Sequence, residues 1–194
     1  LEEKIALNSK MNNKYEVVIS GIAGKFPESE NVNELKKNLF DKINMITVDD
    51  RRWQREVPAA IGKVKVADRF DSIFFGVHKQ LSTNMSGETK NCIERSYEAI
   101  IDAGFHPKEL NNTNSAVIMV SNLNEWEISV AQTTTNAGYR ILGSSRTMQA
   151  NRVSSALNLR GPSFSIDGSF TGGMQALEMA KTMISNGHVR SALV

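Results

Sequence analysis

The sequence predicts an α/β fold in which helices cover a largely parallel sheet. Four apolar runs have the length and composition of buried strands: 15–21, 115–121, 164–167 and 191–194. Apolar residues recur at helical spacing in the segments between them: 32–43, 86–104, 139–156 and 174–186. Strands that alternate with helices are typical of a parallel sheet joined by crossover helices.

The first strand and helix are predicted from local residue types. Tyr15–Gly21 is a β-branched run that ends in glycine, which is typical of a buried strand. Asn31 and Asn33 are both suitable N-caps for the next helix, because asparagine accepts the free N–H groups of a first turn.

The middle of the chain predicts irregular structure followed by one helix. Over 44–80 we expect loops, with a solvated charge cluster at 49–53 and an aromatic cluster of the core at 70–76. The helix over 86–104 should end at Gly104, because glycine is favoured just beyond a helix. Four apolar residues share one face of this helix: Ile93, Tyr97, Ile100 and Ile101. A Gly161-Pro162 break follows the helical segment at 139–156.

The segment 164–186 predicts a strand that turns sharply into a glycine-rich helix start. Backbone N–H groups at such a start stabilise a thiolate or an oxyanion, which is typical of a nucleophile elbow. Two other interpretations stay open. A phosphate cradle is possible in principle, although the GxGxxG and GxxxxGK patterns are absent from the sequence. A purely structural turn is the other.

Composition excludes several functional classes. The 194 residues carry a net charge of +2, which gives no support to nucleic-acid binding. With one cysteine, Cys92, and three separated histidines, His78, His106 and His188, we expect no internal disulfide and no local metal motif. The apolar runs are shorter than the roughly 18 residues of a membrane span. We expect a soluble cytoplasmic protein and, since it starts at Leu1, a fragment.

Ten short stretches of the sequence carry a family resemblance. They are Glu16–Asn31, Asp49–Trp53, Gly62–Lys63, Arg69–Asp71, Phe74–His78, Tyr97–Ile100, Asp102–Gly104, Gly138–Tyr139, Met148–Arg152 and Arg160–Ser163. Together they resemble the N-terminal half of the β-ketoacyl synthase domain of animal-type fatty acid synthases, which has relatives in polyketide synthases.

The resemblance implies a domain organisation and a fold. Residues 1–13 would be a lead-in, and 14–194 the truncated N-terminal half of the domain. The fold implied is thiolase-like: βαβ-rich, with a mixed, mostly parallel sheet in a layered α/β/α arrangement, two similar halves and a homodimer.

The resemblance also implies a reaction and its partners. In the family, an acyl group on an active-site cysteine is condensed, with decarboxylation, with a malonyl group on an acyl carrier domain, and two histidines assist. The expected partners are therefore the acyl carrier domain and acyl and malonyl thioesters. No cofactor is expected in this segment, whereas a full-length synthase would use a phosphopantetheine carrier and NADPH in other domains.

The sequence departs from the family at the nucleophile. The family motif Asp-Thr-Ala-Cys-Ser-Ser-Ser aligns with Asp167-Gly-Ser-Phe-Thr-Gly-Gly173, so Phe170 holds the cysteine position. Asp167 is kept, and Gly168, Ser169 and Thr171 complete the turn. We expect no intact catalytic residue, since a phenyl ring forms no thioester and neither flanking hydroxyl has a visible base.

Other departures agree with this prediction. Met85–Lys90 replaces a family Met-Asp-Pro-Gln-x-Arg loop that supports the site and the subunit contact. The two family histidines belong to the second half of the domain, so His78, His106 and His188 receive no catalytic role. Cys92 is expected to be a buried core residue and not a substitute nucleophile.

Three functional hypotheses follow. The chain is part of a fatty acid synthase-like β-ketoacyl synthase whose own segment is inactive. Alternatively, it is a non-catalytic, synthase-derived module that acts by dimerisation or acyl binding, or a partial gene product that forms no stable protein. Phe170 is hypothesised to fill the mouth of the acyl tunnel, and half of a shared core is expected to expose a large apolar face.

Overall fold

The computed structural model describes residues 16–49, 60–64, 69–122 and 137–194. The helices are α1 Val32–Phe40, α2 Lys79–Asn84, α3 Gly87–Asp102, α4 Ala137–Ser144, α5 Gln149–Leu157 and α6 Gly172–Ser185. The strands are β1 Ile46–Thr47, β2 Ile61–Gly62, β3 Ser115–Val120, β4 Ser163–Ile166 and β5 Ser191–Leu193. Short 3-10 turns cover Pro107–Leu110, Arg146–Met148 and Ser169–Thr171.

A parallel sheet with strand order β4-β3-β5 is the centre of the described structure. Val117 of β3 lies opposite Ser163 of β4 and Leu193 of β5. Parallel strands need crossover connections, and helices provide them here: α4 and α5 lie between β3 and β4, and α6 lies between β4 and β5. The predicted α/β class is thereby confirmed. β1 and β2 form a separate antiparallel pair.

The core lies on both faces of β3, because successive side chains of a strand point in opposite directions. On one face, Val117 belongs to a buried cluster with Ile93 of α3 and Val153 of α5. On the other face, Ile118 packs with Ala176 and Ala180 of α6, among other residues. Helices therefore cover the sheet on both sides, in the layered arrangement expected.

The strand predicted at 15–21 is wrong: apart from its first residue, which lies outside the described part, the segment forms no strand. Val18 and Ile19 are 69% and 76% exposed. No described strand runs beside them, so the segment lacks a backbone partner. It rests instead on the end of α3, where a Cβ at Gly21 would collide with the carbonyl oxygen of Ala99.

The predicted helix ends agree well with the structure. Asn31 is the N-cap of α1, and its Oδ1 accepts the Glu34 N–H at 2.9 Å, so the alternative cap Asn33 is wrong. Gly104 follows the end of α3 with a φ of +82°, a conformation that glycine adopts without strain. Ile101 was wrongly placed on the buried face of α3, because it is 48% exposed.

The segment 44–80 is more ordered than predicted. Lys63 is buried, and its Nζ donates to Oδ1 of Asp49 at 2.9 Å and to the carbonyl oxygen of Thr47 at 3.4 Å. This partly buried ion pair links the segments that directly follow the two strands. The rest of the predicted charge cluster, 50–53, lies outside the described residues. The short helix α2 was not anticipated.

The aromatic cluster belongs to the core in part, as predicted. Phe70 and Phe75 stack with their ring centroids 5.3 Å apart and pack against the core cluster. Phe74 contacts Tyr97 edge-to-face at 5.2 Å but is 60% exposed.

The described ranges include no helix that is long and apolar enough to cross a bilayer.

Candidate functional site

The predicted strand–turn–helix is present and forms the candidate site. β4 ends at Ile166, one residue earlier than predicted, and α6 begins at Gly172. Between them, Ser169 adopts a φ of +50°, in the left-handed region that residues other than glycine rarely occupy. The reversal places residues 169–171 directly before the first turn of a 14-residue helix. We call residues 167–173 the elbow.

Arg146, which no pattern in the sequence singles out, ties the elbow to the end of β3. Its Nη1 donates to the carbonyl oxygen of Asn122 at 2.7 Å and to Oδ2 of Asp167 at 3.1 Å. Arg146 is available there because the helix predicted over 139–156 is in fact two helices separated by a 3-10 turn. The ion pair is half exposed, so it orients the elbow more than it stabilises the fold.

Close packing holds the turn of the elbow. A Cβ at Gly172 would collide with the side chain of Val120 in β3, so the helix start approaches the sheet closely. The Thr171 hydroxyl donates to the carbonyl oxygen of Gly168 at 2.9 Å and accepts from the Gln175 amide at 3.2 Å. The hydroxyl of Thr171 is therefore engaged in the turn and is not poised to attack a carbonyl.

Phe170 lies at the tip of the elbow and is 99% exposed. Helix α6 has no side-chain N-cap, so the backbone N–H groups of its first turn are not capped by Thr171. Ser169 is also exposed, and its hydroxyl has no hydrogen-bond partner among the described residues. The predicted site residues are thus together in space, but they contain neither a thiol nor a hydroxyl with a base.

Comparison with known proteins identifies the family of this fold and elbow. Residues 14–194 match the family model of the β-ketoacyl synthase N-terminal domain. The chain belongs to the β-ketoacyl synthase family. This match confirms the resemblance to β-ketoacyl synthases that the ten sequence stretches predicted.

Two synthases illustrate the sequence similarity of this ketosynthase domain. The chain is 39% identical over 183 residues to a fatty acid synthase of Anser anser anser, covering 92% of the chain and 52% of that protein. It is 27% identical over 191 residues to a probable polyketide synthase of Dictyostelium discoideum, covering 91% of the chain and 7% of that protein. The chain spans about half, or much less, of the length of these relatives.

Solved ketosynthase structures share the fold. A ketosynthase from the bacillaene synthase of Bacillus subtilis superposes with a TM-score of 0.75 at 26% identity, covering 88% of the chain and 30% of that structure. An oxazolomycin ketosynthase domain of Streptomyces albus superposes with a TM-score of 0.78 at 20% identity, covering 91% of the chain and 33% of that structure. The thiolase-like fold class is therefore confirmed for this ketosynthase domain.

Cys92 of the ketosynthase domain packs against the core, as predicted, although the residue is only partly buried. It lies in α3 and packs against the buried cluster that includes Ile93 and Val117. Burial raises the pKa of its thiol to about 11, and the nearby Glu88 carboxylate acts in the same direction. A thiol with this pKa is protonated at neutral pH and is a poor nucleophile.

The three histidines have structural positions. His78 caps α2, its Nδ1 accepting the Gln80 N–H at 3.3 Å, and His106 caps the turn at 107–110 in the same way toward Lys108 at 3.2 Å. The carbonyl oxygen of His188 accepts from the Asn114 amide at 2.7 Å. Among the described residues, no group of His, Cys, Asp and Glu side chains is arranged to hold a metal ion.

Proposed function

We propose that this chain is the N-terminal half of a ketosynthase domain in a larger fatty acid synthase-like protein, and that its elbow does not carry an acyl group. The similarity to a fatty acid synthase supports the first part. The second part is carried by one observation: a fully exposed phenylalanine occupies the tip of the elbow, where the family uses a cysteine.

The chemistry of the elbow supports an inactive segment. Thioester formation needs a sulfur nucleophile, and Phe170 supplies none. The hydroxyl of Thr171 is bonded within the turn, and that of Ser169 has no base beside it among the described residues. Cys92 is a poor substitute, because its thiol packs against the core and has a raised pKa.

The wider proposals follow from the family. The whole protein would work in the cytoplasm as a homodimer, with residues 14–194 as the ketosynthase half and with acyl and malonyl thioesters on an acyl carrier domain as partners. A phosphopantetheine carrier and NADPH would belong to its other domains, and this segment would use no cofactor of its own.

Acyl loading of the full-length protein tests the inactive elbow. The protein is incubated with isotope-labelled acetyl-CoA or malonyl-CoA, digested, and the peptide that contains residues 169–181 is analysed by mass spectrometry. We expect no acyl adduct on this peptide. Phe170→Cys should gain an adduct that hydroxylamine removes, whereas the matched variant Phe170→Ser, which also loses the ring, should not.

Two results would count against the proposal. An acyl group on Ser169 or Thr171 of the wild-type protein would show that a hydroxyl at the elbow takes the role of the thiol. A wild-type protein that condenses acyl and malonyl groups at this domain, without any adduct on the peptide, would show that thioester formation at the elbow is not required.

A second candidate function is non-catalytic, either dimerisation or acyl binding through the elbow. Phe170, Met174 and Leu177 follow one another at helical spacing and are 99%, 73% and 39% exposed, which makes an apolar strip. If this strip binds acyl chains, the full-length protein should bind a fluorescent fatty acid, and Phe170→Ser should weaken that binding about tenfold, because it removes a large apolar contact. Equal binding by both proteins would exclude the strip as an acyl site. Dimerisation would be tested separately, by light scattering of the full-length protein.

A further inference from the structure

A small cavity lies between the loop that leads into α2 and the helix α5, and no elbow residue lines it. Its volume is about 100 Å³. Apolar residues form part of the wall: Phe75, Leu81 and Ile93. The polar lining side chains are His78, Arg152 and Ser155, and no aspartate or glutamate of the described residues lines the cavity.

Arg152 is the unusual member of this lining. Its guanidinium has no hydrogen bond or ion pair with any described residue, and its Nε is buried without a partner. Burial lowers the pKa of Arg152, because the charged form loses part of its hydration. The side chain as a whole is partly buried, and its buried Nε–H lacks an acceptor, so a bound group that accepts the N–H bonds would be stabilising.

The neighbouring polar groups are donors as well. Ser155 lies three residues after Arg152 on the same face of α5, and its hydroxyl has no partner among the described residues. The Nδ1 of His78 already accepts the Gln80 N–H, so the proton of the neutral ring belongs on Nε2. The cavity therefore offers a positive charge and hydrogen-bond donors, and the described residues of its wall supply no negative charge.

We propose that this cavity binds a small oxyanion of the carboxylate or phosphate class, with the guanidinium of Arg152 as its main partner. Guanidinium pairs with such anions through parallel N–H bonds, which a monatomic anion cannot match. About 10–15 Å³ of such cavity volume holds one water molecule, so the cavity has room for a group of several heavy atoms. Nothing in this proposal depends on whether the elbow is active.

Hydrogen–deuterium exchange of the full-length protein tests the proposal. Exchange is measured on peptides that cover 75–81 and 149–157, with acetate or phosphate added against chloride at constant ionic strength and pH. Binding slows local opening in proportion to ligand concentration over Kd, so at ten times Kd we expect exchange in both peptides to slow about tenfold. Arg152→Gln should abolish this protection, and Arg152→Lys should weaken it.

Arg190→Gln is the matched control, because it removes an exposed arginine that does not line the cavity. It should leave the protection unchanged, and peptides far from the cavity report whether each variant is folded. The proposal is overturned if neither acetate nor phosphate protects the two wild-type peptides more than chloride does. It is equally overturned if the protection persists unchanged in both Arg152 variants, or if Arg190→Gln abolishes it.

Discussion

At the scale of single residues, the chain has its one thiol at Cys92, against the core, and no thiol at the elbow. The elbow presents its tip residue to solvent at the start of a long helix, a position that favours a reactive anion. That tip is Phe170, which is 99% exposed, while the thiol of Cys92 packs against the core. The sequence predicted both the phenylalanine at the tip and the cysteine in the core, because such predictions need only the identity of a residue and its place in a motif or helix.

Cys92 should react slowly with thiol reagents. Because burial raises its pKa from 9.0 to about 11, the thiolate fraction at pH 8 falls about 100-fold. Alkylation followed by mass spectrometry should show this slow rate, and the rate should rise about tenfold per pH unit as the pH approaches 11. The thiol of a Phe170→Cys variant is the exposed control in the same chain. Equal rates at positions 92 and 170 would contradict the placement of Cys92 against the core.

The same shift has a consequence for stability. The folded protein holds the Cys92 proton more tightly than the unfolded chain does, since the pKa is higher when folded. The stabilisation associated with this proton is therefore complete below about pH 9. It is lost as the pH rises toward 11.

At the scale of elements, helix starts were predicted best, because their signals are local. An asparagine before an apolar repeat predicts an N-cap, and the structure selects Asn31 over Asn33. The break between α4 and α5 was not predicted, since the apolar spacing continues through it. That break places Arg146 against Asp167, a contact between residues 21 positions apart in the sequence.

Replacement of the two asparagines distinguishes the cap from its neighbour. Asn31→Ala should lower the free energy of unfolding by about 1 kcal/mol, because the Glu34 N–H loses its acceptor. Asn33→Ala, in the first turn of the same helix, should be neutral or slightly stabilising. Urea denaturation monitored on both variants measures the difference, and an equal effect of the two replacements would be inconsistent with the cap.

The two glycines that begin α6 provide a second matched pair. A Cβ at Gly172 would collide with Val120, whereas a Cβ at Gly173 meets no atom within 4 Å. Gly172→Ala should therefore destabilise the protein by about 1–3 kcal/mol through overpacking, and Gly173→Ala should not destabilise it. Thermal unfolding of both variants is the measurement. A stable Gly172→Ala protein would show that the elbow can move away from β3.

At the scale of the whole molecule, the described structure exposes many large apolar side chains. They include Val18, Ile19, Ile22, Phe40, Val48, Ile73, Ile141, Phe170 and Met174, each more than half exposed. Where such side chains lie together they are typical of an interface, because monomers rarely leave large apolar patches in water. This observation agrees with the expectation that half of a shared core leaves an apolar face uncovered.

Residues 1–194 expressed alone should therefore associate or aggregate. We expect strong binding of a hydrophobic dye and a scattering mass well above the 21.5 kDa of one chain. The full-length protein, mixed with the same dye and measured under the same conditions, is the control. A monomer that unfolds sharply, cooperatively and reversibly on heating would contradict this prediction.

The sequence by itself determined the α/β class, the order of most elements, the family and the phenylalanine at the elbow. These features depend on residue identity, on periodicity and on signals within a few residues of one another. Only the tertiary structure decided that 16–21 lacks a strand partner, that Arg146 holds Asp167, and that Arg152 lines a cavity without a counter-charge. The physical reason is that hydrogen-bond partners, burial and charge compensation are set by residues distant in the chain, which local pattern does not encode.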